Sequence, residues 1–181
     1  MGKVSETGID SELAAWLEAQ PVFFTATAPL SPDGHVNCSP KGGEAFRVLG
    51  PWEVVYVDFT GSGIETVAHL RENGRIVLMF CAFAGRPTIV RLHGRGDVLS
   101  PDSAAGRAFL KRFPPNPGIR AIIRISVERV ATSCGYAVPE MEFKARRDIL
   151  DRWATNRGED GLTAYRAEKN AVSIDGLPGL D

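Results

Sequence analysis

Residues 52–99 carry the clearest run of patterned apolar positions, and the rest of the chain reads as additions to it. An apolar run at 53–59, Glu-Val-Val-Tyr-Val-Asp-Phe, predicts a strand and breaks at Thr60, Gly61, Ser62 and Gly63. A short helical pattern at 64–73 follows, closed by Gly74. Residues 75–83 and 88–94 predict two more strands about the turn Ala-Gly-Arg-Pro at 84–87.

Towards the N-terminus, Asp10 is placed to cap a helix over 11–20, whose Leu13, Trp16 and Leu17 share a face. Pro21 ends it. Residues 22–28 are rich in aromatic and β-branched side chains and predict a strand. The turn Leu-Ser-Pro-Asp-Gly at 30–34 returns the chain as a second hairpin strand at 35–39. Pro40 cannot donate to a ladder and belongs at a strand end or edge, with Lys41, Gly42 and Gly43 leaving the strand. Residues 46–49 then lead past Gly50 and Pro51 into the central block.

Beyond Leu99, Ser100 as a cap and Pro101 at the first helical position predict a helix to Phe113. A proline-rich loop at 114–118 precedes a long strand at 119–130, where Arg120, Arg124, Ser126 and Glu128 alternate with apolar residues and make one face wet. Residues 142–156 predict a helix with Ile149, Leu150 and Trp153 on one side, stopped by Gly158, and a last helix covers 161–168. So many strands in series argue for antiparallel β. One helix between the central strands is too few for a doubly wound sheet. The expected fold is mainly β with peripheral helices, a small antiparallel barrel whose closure removes strand edges, as one domain over 1–181.

Composition narrows the function. A net charge of −1 gives no bulk attraction to nucleic acid or to an anionic membrane. No apolar run approaches the ~20 residues of a membrane span, and the polar N-terminus lacks the apolar core of a signal peptide. Cys38, Cys81 and Cys134 stand far apart, which fits neither a zinc site nor a disulfide framework. A cytoplasmic protein with reduced thiols is expected.

Candidate chemistry is sparse. His35, His69 and His93 have no metal-like spacing and read as structural. The break at 60–63 is neither a P-loop nor a dinucleotide fingerprint. Its hydroxyls and N–H groups either hold an anion at a helix N-terminus or simply cap an ordinary turn. Lys41, Arg47, Arg75, Arg86, Arg91 and Arg95 are available to an anion. Arg91, among Ile89, Val90 and Leu92, points from its strand toward a groove or a partner.

Three segments then carry a resemblance: Val-Asn-Cys-Ser-Pro-Lys-Gly at 36–42, the strand–helix–Asn-Gly-Arg–strand run at 55–80, and residues 88–98. Together they resemble the FMN-binding split β-barrel proteins related to pyridoxamine 5′-phosphate oxidase, over roughly residues 23–130. The tail, with Ser-Cys-Gly-Tyr at 133–136 and residues 169–179, is similar to a predicted flavin-nucleotide-binding branch of that family.

The resemblance implies a homodimer with FMN in a cleft between subunits, and the strand at 119–130 near the interface. The family's Arg-x-Val-Leu-Leu-Lys strand, which runs beside the flavin ring, falls on residues 36–41. Val36 replaces its arginine and Lys41 matches its lysine, with Asn37, Cys38 and Ser39 between them. A Tyr-Thr pair falls near Val57 and Asp58. The family's phosphate-gripping Arg-Lys pair falls on Glu65 and Thr66, so the resemblance leaves the phosphate to Thr60, Ser62, Thr66, helix N–H groups and Arg91. The implied function is a flavin-dependent oxidoreductase acting on an unidentified small molecule with some electron donor. The alternatives are a flavin-binding module without turnover, or a deazaflavin- or haem-binding protein of the same fold. No general acid or base is evident, and Cys38 is either a small filler or a redox thiol.

Overall fold

Strands patterned this way bury one face only if the sheet curls round on itself. The computed structural model, which describes residues 2–180, shows how. In chain order the elements are β1 (Lys3–Val4), α1 (Ser11–Ala19), β2 (Val22–Thr27), β3 (Asn37–Gly42), β4 (Phe46–Gly50), β5 (Glu53–Phe59), α2 (Glu65–Asn73), β6 (Arg75–Cys81), β7 (Ile89–Leu99), α3 (Ala104–Leu110), β8 (Ile119–Ser133) and α4 (Ile149–Lys169). The 8-stranded sheet runs β3-β2-β6-β7-β8-β5-β4, with β1 also on β8. Every pairing is antiparallel.

The sheet is a split barrel. Its two ends meet through side chains: Phe46 of β4 lies 5.5 Å from Phe23 of β2 and 5.0 Å from Phe80 of β6, ring centre to ring centre. Tyr56, Leu78, Leu92 and Ile123 fill the interior and are fully buried. A second apolar cluster, with Val55, Val57, Phe113 and Ile122, covers the opposite face of β5 and β8. β5 is therefore buried on both faces, which is why its sequence is apolar at successive positions.

α1 begins as expected, with the Asp10 carboxylate accepting from the Leu13 N–H at 2.8 Å. Its Leu17 is buried, and its Glu18 carboxylate accepts from the Val48 N–H on the outer edge of β4 at 2.7 Å. Buried Val67 and Leu70 anchor α2 on the barrel, and Gly74 ends it with φ +72°, a left-handed cap that favours glycine.

Several boundaries differ from the sequence expectation. β3 begins at Asn37 and runs through Pro40 and Lys41 to Gly42. Pro40 is tolerated because β3 is an edge strand, where a missing N–H breaks no second ladder. β7 runs on to Leu99, and β8 to Ser133. α3 starts at Ala104, because the Ser103 hydroxyl caps it by accepting from the Gly106 N–H at 2.9 Å. Ser100 and Pro101 form the turn before it. Residues 142–148 are not helical. Their apolar Phe143 is exposed and finds no face to pack on, and so short a segment does not stay helical by propensity alone. Ile149 and Leu150 are exposed too, while Trp153 packs edge-on against Tyr165, 5.1 Å away. Gly158 breaks α4 at φ +65°, with helix resuming directly after it.

β7 and β8 shift register between His93 and Gly94, and a Cβ on Gly94 would fall 2.2 Å from the Ser126 carbonyl oxygen. Gly94→Ala should therefore cost about 1–3 kcal/mol by forcing these strands apart. Gly50→Ala, where a Cβ meets nothing within 4 Å, should stay within about 0.5 kcal/mol. Urea denaturation of both variants checks the contrast.

Candidate functional site

Asp58 interrupts the apolar run of β5 and is fully buried. A carboxylate in that place needs a cation or it will not stay ionised. It has two: Lys41 Nζ is 2.5 Å from Oδ1, and Arg120 Nε is 2.8 Å from Oδ2. Burial pushes its pKa up, but Lys41 and Arg120 together outweigh burial and hold it below the usual carboxylate value.

Arg120 carries the network outward. It donates to the Gly61 carbonyl at 3.1 Å and to Asn170 Oδ1 at 2.9 Å, and Asn170 Nδ2 donates to the same carbonyl at 2.8 Å. Thr60 is tied beside it. Its N–H and hydroxyl both donate to the Gly118 carbonyl, at 2.7 and 2.9 Å, and its Oγ1 accepts from Arg166 Nε at 2.9 Å.

A second arm starts on β3, where alternation turns Asn37, Ser39 and Lys41 to one side and Cys38 and Pro40 to solvent. Ser39 Oγ donates to Asn37 Oδ1 at 3.0 Å. Asn37 Nδ2 donates to Thr66 Oγ1 at 2.9 Å and to Thr27 Oγ1 at 3.2 Å. Thr27 in turn meets His69 Nδ1 at 3.0 Å. His69 is fully buried, and burial lowers its pKa, so the imidazole is neutral near pH 7. His69 Nε2, Tyr56 Oη and Thr25 Oγ1 are buried without a hydrogen-bond partner among the described residues.

The structure thus brings Asn37, Ser39, Lys41, Asp58, Thr60 and Thr66 into one polar seam beside the split. Thr66 is buried, at 4% exposure. Ser62 is exposed and engages nothing among the described residues. Val57 faces the second apolar cluster, away from Asp58. Val36 is 74% exposed and precedes β3. Arg91 lies elsewhere: it pairs in register with Ala131, whereas Asp58 pairs with Ala121, roughly 30 Å along β8. Its guanidinium donates to Ser133 Oγ at 3.2 Å on the outer face of the sheet.

Arg120, Arg166 and Asn170 escaped the sequence reading. Arg120 sat in the wet half of an alternating strand, yet it is 7% exposed. The signal for it was Asp58 itself, since a carboxylate in a buried strand implies a basic residue on a neighbouring one. Nothing in the sequence marked the two residues from the C-terminal helix and tail.

What the seam offers a cofactor can be read from its donors. β3 has a neighbour strand on one side only, so its other edge presents unpaired backbone donors and acceptors. The hydroxyl, amide and ammonium groups of Ser39, Asn37 and Lys41 lie in the same strand. That mixture suits the pyrimidine edge of a flavin ring, which needs both donors and acceptors. The 60–66 turn suits a phosphate less well. The hydroxyls of Thr60 and Thr66 are engaged, and the Glu65 carboxylate lies at the N-terminus of its own helix, where it accepts from the Ile174 N–H at 3.4 Å. A helix N-terminus that already faces a carboxylate attracts a second anion weakly.

Comparison with known proteins follows the same line. Residues 9–134 match the family model described as pyridoxamine 5′-phosphate oxidase. An Aspergillus flavus relative, the pyridoxamine 5′-phosphate oxidase family protein ustO, is 38% identical over 95% of this chain and 76% of its own length. Among solved structures, Group A Streptococcus HupZ superposes with a TM-score of 0.52 at 21% identity, over 67% of this chain and 91% of HupZ. A Lactobacillus delbrueckii protein named after pyridoxamine 5′-phosphate oxidase gives 0.54 at 19% identity, over 72% of this chain and 98% of its own. At those identities the structures establish the fold alone.

The buried triad fixes an acid response. Asp58 has a folded pKa below its unfolded value of about 3.9, so its contribution is complete above that value and is lost as pH falls through the lower folded one. Asp58→Asn leaves Lys41 and Arg120 without their counter-charge and should cost about 3–5 kcal/mol at neutral pH. Urea midpoints at about pH 5 and pH 3 should also converge more in the variant than in the wild type.

Proposed function

The chain belongs to the pyridoxamine 5′-phosphate oxidase family, and on that footing we propose that it is an FMN-binding flavoprotein that oxidises or reduces a small molecule. The observation that carries this reading is β3, an edge strand with free backbone on one side and Asn37, Ser39 and Lys41 along it. When bound, the flavin supplies hydride and electron transfer itself. The chain's own residues supply the rest. Backbone groups and the Asn37 and Ser39 side chains orient the ring's polar edge, and Lys41 provides positive charge beside it. Asp58 fixes the Lys41 ammonium in place, and Arg120 keeps that cluster cationic overall, which favours the anionic reduced ring.

The cleft is completed, in this reading, by a second copy of the chain. Half-buried Phe24, Val77, Met79 and Ile89 line the outer face of β2, β6 and β7, and no helix among the described residues covers them. Beside them, residues 134–148 form an irregular arm with exposed Tyr136, Met141 and Phe143. The arm is tied to the chain just beyond β6 by the Met141 N–H, which donates to the Phe83 carbonyl at 2.7 Å. A two-fold pair would bury this face and bring Arg91 to the boundary between copies.

The visible spectrum of the purified protein, together with FMN titration by flavin fluorescence, tests the proposal. Binding of one FMN per chain, and reduction of the bound flavin by a nicotinamide cofactor, are expected. Bound flavin that no donor reduces would instead mark a carrier, and a deazaflavin or Soret spectrum would replace the cofactor. Lys41→Met should weaken FMN by about tenfold to a hundredfold, the worth of one charge-assisted hydrogen bond, and Lys41→Arg should restore most of it. Light scattering should report a dimer, and Met79→Glu should both dissociate it and abolish FMN binding.

A further inference from the structure

A cavity of about 850 Å³ lies between the second half of α4, the turn that follows β7 and the start of β8. Asn37, Ser39, Lys41 and Ser62 take no part in it. Its walls mix apolar and polar side chains: Leu99, Pro117, Leu162 and Leu180 are among the apolar ones, and the guanidiniums of Arg71, Arg120 and Arg166 also line it.

Arg120 and Arg166 differ in how their charge is met. Arg120 has Asp58. Arg166 donates to Thr60 Oγ1 at 2.9 Å and to the carbonyls of Pro117 and Ile119 at 3.3 and 3.2 Å, all neutral acceptors. It makes no ion pair among the described residues. Burial and then the neighbouring Arg120 pull its pKa down, and Asp102 opposes them only in part. Its role as a strut between Thr60 and the start of β8 accounts for the hydrogen bonds. It does not account for the charge, because a neutral amide could make such bonds without setting a second cation beside Arg120. The cavity's own acids, Asp102 and Glu159, are exposed and stand in water.

We propose that this cavity is a second, flavin-independent site for a small organic anion, a carboxylate or phosphate monoester on an apolar body. The anionic group meets Arg166 and the body lies against Leu99, Leu162 and Leu180. The apolar part of the wall explains why a bare inorganic anion would be a poor occupant: it would leave Leu99, Leu162 and Leu180 without a partner.

Isothermal titration calorimetry on the full chain, with and without saturating FMN, tests this with phenyl phosphate and benzoate as probes. At least one of the two should bind at one site per chain, with the same affinity in both conditions, and which of them binds tighter identifies the preferred anionic group. Benzyl alcohol, which lacks the charge, and inorganic phosphate, which lacks the body, should each bind at least about tenfold more weakly. Thr163→Glu places a carboxylate on the exposed cavity wall and should weaken the better probe at least about tenfold, with the melting temperature and FMN titration unchanged. Arg166→Gln should weaken it similarly, and if that variant does not fold, Thr163→Glu decides alone. Equal affinities in wild type and Thr163→Glu, equal binding of benzyl alcohol, absence of binding by both anionic probes at millimolar concentration, or loss of FMN binding along with the probe would each overturn the proposal. Because the titration is also run without FMN, a chain that fails to bind flavin leaves this test intact.

Discussion

A carboxylate cut off from water and held between two cations ties together parts of this chain that no backbone hydrogen bond joins. β3 opens the sheet order and β5 stands next to its far end. Lys41 on β3 and Asp58 on β5 nevertheless touch, so the ion pair spans the split in the barrel. Arg120 on β8 takes the second carboxylate oxygen, and through Gly61 and Asn170 it fastens both the loop before α2 and the chain after α4. Removing the carboxylate would leave two cations facing each other in a region with little water to screen them.

The split is closed in two different ways along its length. At one level Phe23, Phe46 and Phe80 press together, a non-directional contact that tolerates small adjustments. At the other level the closure is polar and directional: Lys41 of β3 meets Asp58 of β5, and Ser39, Asn37, Thr27, Thr66 and His69 tie β3 and β2 to α2. Polar networks of this kind fix geometry more tightly than apolar contacts because each lone pair and proton must find its counterpart. His69 Nε2, at the end of this network, has no hydrogen-bond partner among the described residues, so the network is not fully satisfied by the chain itself.

The fold was legible where period and punctuation agreed. The apolar run of β5, the helix closed by Gly74 and the Asp10 cap stand where the sequence placed them. The boundaries that moved did so for tertiary reasons. β7 and β8 lengthen because each pairs with the other along nearly its whole extent, which no local pattern encodes. The helix expected at 142–156 loses its first half because its apolar Phe143 finds no face to pack on. In the candidate site, a motif brought the β3 row and Asp58 into view. Arg120, Arg166 and Asn170, which complete the site, are 47 or more residues away from the groups their side chains touch. A single sequence carries no sign of such pairings until the strands are in register.

The two ends of the sheet are finished differently. On β4 the outward Val48 N–H is taken by the Glu18 carboxylate, and the Phe46 carbonyl by the Arg47 guanidinium at 2.7 Å. Side chains thus occupy a donor and an acceptor that another strand would need. No comparable cover shields the outer edge of β3 among the described residues. An extended peptide or a neighbouring chain seeking to join the sheet by main-chain hydrogen bonds therefore finds the β3 edge open. Two molecules that met edge to edge through β3 would use up both of these edges, and such a pair and a ligand held on the same backbone would exclude each other.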